Sequence, residues 1–431
     1  MHIKKHLGFS ALRRTLSERW REIEDNRQRG KVRHTLHDCF MSGFAMMYFQ
    51  DPSLLQFQKR LEDAAHQNNL RNLFCVQSIP RDTRMRDVID EIDSQELEPL
   101  FEDFFRVLQR GKHLESYRFL GDYYLISMDG SGYFSSDKIS CPGCLWKESK
   151  RGAVRYEHQI VQAALMRPGK REVMPLAPEA ILNGDGKEKQ DCEIEAGKRL
   201  IKKIRRAHPK LKAIIVADSL HSKQPFIEDL NIERMSYILV AKPEDHKILM
   251  EWVGEQRQLG EVSRIEVRDR KDRVHVYEWI NDVPLNGNKE TIWVNYVEYW
   301  LMDKGKIGYH NSWVTDIRIS EQNVGELVLG GRCRWKIENE VFNTLKNQGY
   351  DIEHNYGHGE RHLSMNFFLL NLLAFFAHQI LELTDTLYQQ CRMKFSSKRG
   401  MWNCLREVIR VLLFPDWETL LKRVLRPMEF L

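Results

Sequence analysis

Residues 211–218 read LKAIIVAD. The run is almost wholly apolar and β-branched, then stops at an acid. Such a segment suits a central strand covered on both faces, closed by a turn. Working outward, residues 187–206 predict a helix. Its first half carries Glu188, Asp191, Glu193 and Glu195, and its second half Lys198, Arg199, Lys202, Lys203, Arg205 and Arg206. Acid first and base last suits the helix dipole. Downstream, Ser222 can cap a short helix, and MSYILVAK (235–242) predicts another strand. Upstream, YYLISMDG (123–130), RYEHQIVQAALM (155–166) and KREVMPLAPE (170–179) predict three more. Three strands, helix, strand, helix, strand is an α/β order.

The flanks differ in texture. Residues 1–120 predict helices, among them SALRRTLSERWREIED, TLHDCFMSGFAMMYFQ and SLLQFQKRLEDAAHQ. SQELEPLFEDFFRVLQRG follows, with Ser94 as cap and Gly111 as stop. The α/β part spans 121–244. Residues 245–320 alternate in polarity (SRIEVRDR, RVHVYEWI, TIWVNYVEYWL) and predict a β-rich insertion. Helical texture returns over 321–385 and in a basic tail, 386–431. Hydrophobic residues at 42% and charged residues at 29% fit a folded chain rather than a disordered one. Lys and Arg number 66 against 61 Asp and Glu. That mild basic bias permits a polyanionic partner without requiring one. The strongest apolar run, 365–383, is broken by Asn366, Asn371, His378 and Gln379. It reads as a core helix rather than a membrane span. The N-terminal stretch lacks a signal pattern, and the eight cysteines lack a framework spacing, so a cytoplasmic chain with reduced thiols is expected.

Three acids stand where chemistry would place them. Asp129 ends the first strand of the α/β part and Asp218 the fourth. In open α/β sheets, ligands bind at the carboxyl ends of strands. Read singly, either Asp could merely open a turn. The third acid lies in RWKIENEVFNTLK (334–346). On a helix of about 3.6 residues per turn, Trp335, Ile337, Val341, Phe342 and Leu345 share a face, and Glu338 falls near its middle. Arg334 lies one turn earlier on the same side. Glu340 falls opposite, with Lys336, Asn339 and Asn343. A carboxylate on an apolar stripe must be paired or bind a cation. Either Arg334 satisfies Glu338 as an ion pair, or Glu338 reaches a metal. Carboxylates from separate elements suit hard cations such as Mg²⁺, and two such ions support phosphoryl displacement. No Walker-type loop is present, so ATP-driven work is not indicated.

The α/β order with Asp129, Asp218 and Glu338 resembles the ribonuclease-H-like core of DDE transposases from bacterial insertion sequences. GRCRWKIENEVFNTLK resembles the third-acid signature of the group that carries a β-rich insertion before that helix. Arg334 stands four residues before Glu338, as in that signature. Lys346 comes one residue later than usual, Gly331 stands where a Tyr is usual, and Ser219–Leu220 follow the second Asp. The likeness covers about residues 121–380. It implies that Asp129, Asp218 and Glu338 ligate two Mg²⁺ or Mn²⁺ ions. It further implies that Arg334 and Lys346 contact double-stranded DNA, that no membrane is involved, and that a homodimer acts on paired element ends. A nuclease without strand transfer, or an inactive DNA-binding relic, are the other readings.

Two further features stay outside that scheme. CPGC (141–144) has the spacing of half a zinc site, which His158 or Cys333 could complete, but no second pair follows. His354, His358 and His362 recur every fourth residue between glycines and read as a loop with solvated or capping histidines.

Overall fold

The computed structural model describes residues 7–183 and 192–426. The chain opens with helices α1–α6: Phe9–Glu22, Leu36–Tyr48, Leu54–Arg60, Ala64–Phe74, Asp82–Asp90 and Pro99–Arg110. The expected helix over 53–67 breaks in two at 61–63. Ser94 caps no long helix: residues 94–97 form a 3₁₀ turn held by the Asp93 carboxylate, and α6 starts at Pro99, which suits a first helical turn. Leu100, Phe101, Phe104, Phe105 and Leu108 give α6 its buried stripe.

The strands are β1 (Arg118–Phe119), β2 (Tyr123–Ser136), β3 (Leu145–Glu148), β4 (Val154–Met166), β5 (Met174–Pro175) and β6 (Glu179–Ile181). They continue with β7 (Ala213–Ala217), β8 (Ser236–Val240), β9 (Ser263–Arg268), β10 (Val274–Pro284), β11 (Trp293–Asp303) and β12 (Lys306–Thr315). All join one mixed sheet, ordered β3-β4-β2-β7-β8-β12-β11-β10-β9. The pairs β2–β7 and β7–β8 are parallel. Helices α7 (Glu193–Ala207) and α8 (Gln224–Ile232) make the crossovers. The acidic start expected for α7 at Glu188 and Asp191 lies outside the described residues. The strand expected over 170–179 is two short pieces, both paired with β4.

Two differences bear on the site. β2 does not stop at Asp129. Its parallel pairing ends at Ser127–Val216, while its antiparallel pairing with β4 runs on to Ser136–Tyr156. Asp129 therefore lies where the parallel partner gives out, inside a long hairpin. Residues 245–320 begin with a helix, α9 (Lys247–Leu259), which buries Leu249 and Val253 and ends at Gly260. The strands that follow extend the same sheet through β12–β8 pairing at Trp313–Val240.

Helices close the chain: α10 (Val324–Arg332), a π-helical turn Ile337–Phe342, α11 (Asn343–Asn347), α12 (Leu363–Thr384), α13 (Thr386–Lys394), α14 (Lys398–Val411) and α15 (Trp417–Leu425). Among the described residues α12 is the one helix long and apolar enough to cross a membrane, and 83% of its most apolar window is buried inside the protein. It packs on α2, α5 and α6. The polar residues that interrupt it each find a partner there, although Asn366 Oδ1, Asn371 Oδ1 and His378 Nε2 have none. The Asn366 amide donates to the Ile89 and Ile92 carbonyls, Asn371 donates to Tyr350, and Gln379 accepts from the Val173 N–H.

Candidate functional site

β2 and β7 run side by side, and their register decides the site. Ser127 faces Val216 in the last parallel pair, and just beyond it Asp129 and Asp218 come close enough to repel each other. The turn after β7 is built by Asp218 itself, whose Oδ1 accepts from the Leu220 N–H at 3.0 Å. Ser222 does not cap α8: Lys223 holds that position without a side-chain bond. Ser222 instead donates to the Ser219 carbonyl and meets His246.

The third acid arrives from the far end of the chain. Ser127 on β2 donates to the Arg334 carbonyl at 3.3 Å, fixing the start of the Glu338 segment over the strand. Arg334 then bridges the elements. Its Nη1 lies 2.7 Å from Glu338 Oε1 and 3.3 Å from Asp129 Oδ2. Two carboxylates remote in sequence therefore reach one guanidinium nitrogen.

Residues 337–342 wind as a π-helix rather than an α-helix. The wider turn alters the expected face. Ile337, Val341, Phe342 and Leu345 are buried, but Trp335 is 48% exposed. Its ring lies beneath the Arg334 guanidinium, 4.6 Å from the centroid. Glu338 keeps 38% of its side chain exposed and so sits at the rim of the site, not within the core. π-Turns of this kind recur at functional sites. Glu340 points elsewhere, to Lys336 and to a cleft of about 900 Å³ that Arg392, Lys398 and Arg399 also line. Lys346 reaches Glu353 at 2.8 Å.

Two residues join the site that the sequence did not single out as part of it. Glu193, in the first turn of α7, lies over Gly130, where an added Cβ would fall 2.3 Å from Glu193 Oε2. His221 approaches Asp218 Oδ1 through Nδ1 at 3.1 Å and is fully buried. The signals were present: an acid opening the helix that leads into β7, and a histidine three residues after Asp218.

The electrostatics follow from crowding. Burial, together with Glu193, Asp218 and Glu338, pushes the Asp129 carboxyl up to about 7 against the pull of Arg334. Burial raises Glu193 too, with Asp218 adding to it. Burial would also raise Asp218, but the His221 bond and charge and the Leu220 N–H outweigh it and hold this carboxyl low. Four carboxylates thus meet one guanidinium and one imidazole. An oxygen-rich surplus of negative charge fits hard divalent cations. Asp129, Glu193, Asp218 and Glu338 are the candidate residues for holding one.

Comparison with known proteins bears on this cluster. Residues 188–376 match the family model "Transposase DDE domain". The match includes Asp218, His221, Arg334 and Glu338 and begins after Asp129. Among curated proteins none matches the sequence. A solved piggyBac transposase synaptic complex with hairpin DNA is similar over 97% of this chain and 80% of its own, at 10% identity and a TM-score of 0.42. It is the family match that bears on function.

Proposed function

From the match of residues 188–376 to the transposase DDE domain model, we propose that the chain cuts DNA at the ends of a mobile element and joins the freed 3′-OH to target DNA. The observation that supports this most is the meeting of Asp129 and Glu338 on one Arg334 nitrogen, with Asp218 just past the end of the neighbouring strand. On this reading 121–244 and 321–385 form a ribonuclease-H-like core, and Asp129, Asp218 and Glu338 hold two Mg²⁺ or Mn²⁺ ions. Such ions, when bound, stabilise attacking and leaving oxygens of an in-line displacement.

The chain's own residues supply the rest. Arg334 spans Asp129 and Glu338, so it sets the spacing of those acids and stands ready to pair with a phosphate oxygen beside them. Trp335, stacked beneath it, limits its motion. His221 orients the Asp218 carboxylate. Lys346 adds a cation on the outer side of the same segment and would contact the duplex backbone once released from Glu353. Backbone contacts of this kind position DNA without reading its sequence. Double-stranded DNA is the partner, and two copies acting on paired ends are the working assembly.

The test is an assay on the DNA that flanks the native gene, with Mg²⁺ present. The intact chain should nick and then join. Asp129→Asn, Asp218→Asn and Glu338→Gln should each lose cleavage by about a hundredfold to a thousandfold, roughly the 2.7–4 kcal/mol of a lost transition-state contact, while still binding DNA. Glu340→Gln should be nearly silent. Loss of activity in Glu340→Gln with Glu338→Gln active would sink the assignment. Cleavage without joining would favour a nuclease.

A further inference from the structure

Far from the carboxylates in chemical character, four soft donors gather at the tip of the β2–β4 hairpin. Cys141 and Cys144 lie in the turn between β2 and β3, and His158 lies on β4. His358 comes from the loop that leads into α12, two hundred residues away from His158. One ligating atom from each lies within 4.8 Å of the others.

The spacings decide what the cluster is built for. A tetrahedral zinc ion takes about 2.3 Å to sulfur and about 2.0–2.1 Å to nitrogen, which sets edges of roughly 3.8 Å between sulfurs, roughly 3.5 Å between sulfur and nitrogen and roughly 3.3 Å between nitrogens. Here Cys141 Sγ and Cys144 Sγ are 3.8 Å apart. The His158 Nε2 is 3.5 Å from each sulfur, and Cys144 Sγ is 3.4 Å from His358 Nε2. The two Nε2 atoms are 3.1 Å apart. A disulfide would need its sulfurs at about 2.05 Å. His358 Nδ1 donates to the Gly359 carbonyl at 2.8 Å, which leaves Nε2 free to ligate, as outer partners of metal-bound histidines do. Three of the four residues are buried.

The geometry points to a structural zinc site made of Cys141, Cys144, His158 and His358. It stands whether or not the chain moves DNA. Two thiols lose their protons to solvent when the ion binds, so two thiolates neutralise its charge and a neutral centre is buried. With all four positions taken by protein, no place remains for substrate, as in sites that hold structure rather than react. What it holds is specific. The bulge between Gly132 and Phe134 turns Tyr133 onto His158 and Phe368, and sets Phe134 4.4 Å from the His358 ring. The ion would tie the far end of the Asp129 strand to the loop that follows the Glu338 segment. Asp90 anchors the other side of that loop, accepting from the backbone N–H groups of Glu360, Arg361, His362 and Leu363.

The full chain, purified without a histidine tag, should carry one zinc per molecule by elemental analysis. Replacement by Co²⁺ should give the intense visible bands of tetrahedral cobalt bound to thiolate. Cys144→Ser and His358→Ala should release zinc to a chelator at least tenfold faster than the unaltered chain, while His354→Gln, in the same loop, should keep it. A chain that holds no stoichiometric zinc, or a His358→Ala protein that keeps it as firmly, overturns the site. If the variants do not fold, the cobalt spectrum of the unaltered chain decides: faint octahedral bands refute it.

Discussion

Asp129, Asp218 and Glu338 were each readable as acids at strategic places, and Glu193 was not. Its position at the head of α7 looked like ordinary complement to a helix dipole. Only packing shows it lying over Gly130, close enough to raise Asp129. If it supports the acids proposed to bind metal, Glu193→Gln should raise the Mg²⁺ concentration needed for half-maximal cleavage by about tenfold, as loss of a supporting partner does, with DNA affinity unchanged. A metal titration of cleavage checks this; an unshifted midpoint would make Glu193 a bystander. Asp129 misled in the other direction. The Asp-Gly pair reads as a turn, yet the chain runs straight through it, because β4 goes on pairing where β7 has ended.

At the scale of elements, the Glu338 segment was assigned to the right region with the wrong winding. Periodicity of 3.6 puts Trp335 inward, but Trp335, just ahead of the π-turn, lies outward, under Arg334. A single extra residue per turn cannot be read from hydrophobic spacing over so short a stretch. Gly331 shows what the neighbouring helix requires. An added Cβ there would meet Trp313 Nε1 at 2.5 Å and Cε2 at 2.6 Å, on an indole that is fully buried in β12. This leaves no room for the Tyr of the related signature. Gly331→Ala should therefore destabilise the fold by about 1–3 kcal/mol, the usual cost of overpacking. A lowered denaturant midpoint with an unchanged slope is the expected signature, and a midpoint equal to that of the parent would mean α10 slides aside freely. Helix α9 was missed for a related reason: with Ile248 and Trp252 exposed, only Leu249 and Val253 mark its inner face.

For the whole molecule, one sheet joins what the sequence divided. β12 pairs with β8, so residues 263–315 lengthen the sheet instead of standing apart. The basic tail folds back: the Asn69 amide on α4 donates to the Ile409 and Leu412 carbonyls at α14. Burial on this scale gives the fold an acid weakness. His66 on α4 is wholly buried, and neither ring nitrogen has a hydrogen-bond partner. Burial, with Arg60 and Arg410 nearby, holds it down to about 3. An unfolded histidine titrates near about 6.5. Its folded value is the lower one, so stability is intact above about pH 6.5 and drains away as pH falls towards about 3. At about pH 5 the loss from His66 is about 2 kcal/mol. His66→Phe should remove that share of the slope between about pH 7 and about pH 5, measured as denaturant stability at each pH. Parallel slopes in the two proteins would contradict it.

The sequence alone determined the α/β order of residues 121–244 and the core helix α12, and it put forward the acids as candidates, because each is written in local chemistry: apolar run length, polar interruption, an acid after a strand. Tertiary structure alone decided which of those residues meet. Arg334 reaching Asp129, Glu193 covering Gly130, and His358 completing the cysteine pair all bridge segments that no local pattern links. Loop closure and sheet register set those meetings, and both depend on the packing of the entire chain rather than on any window of it.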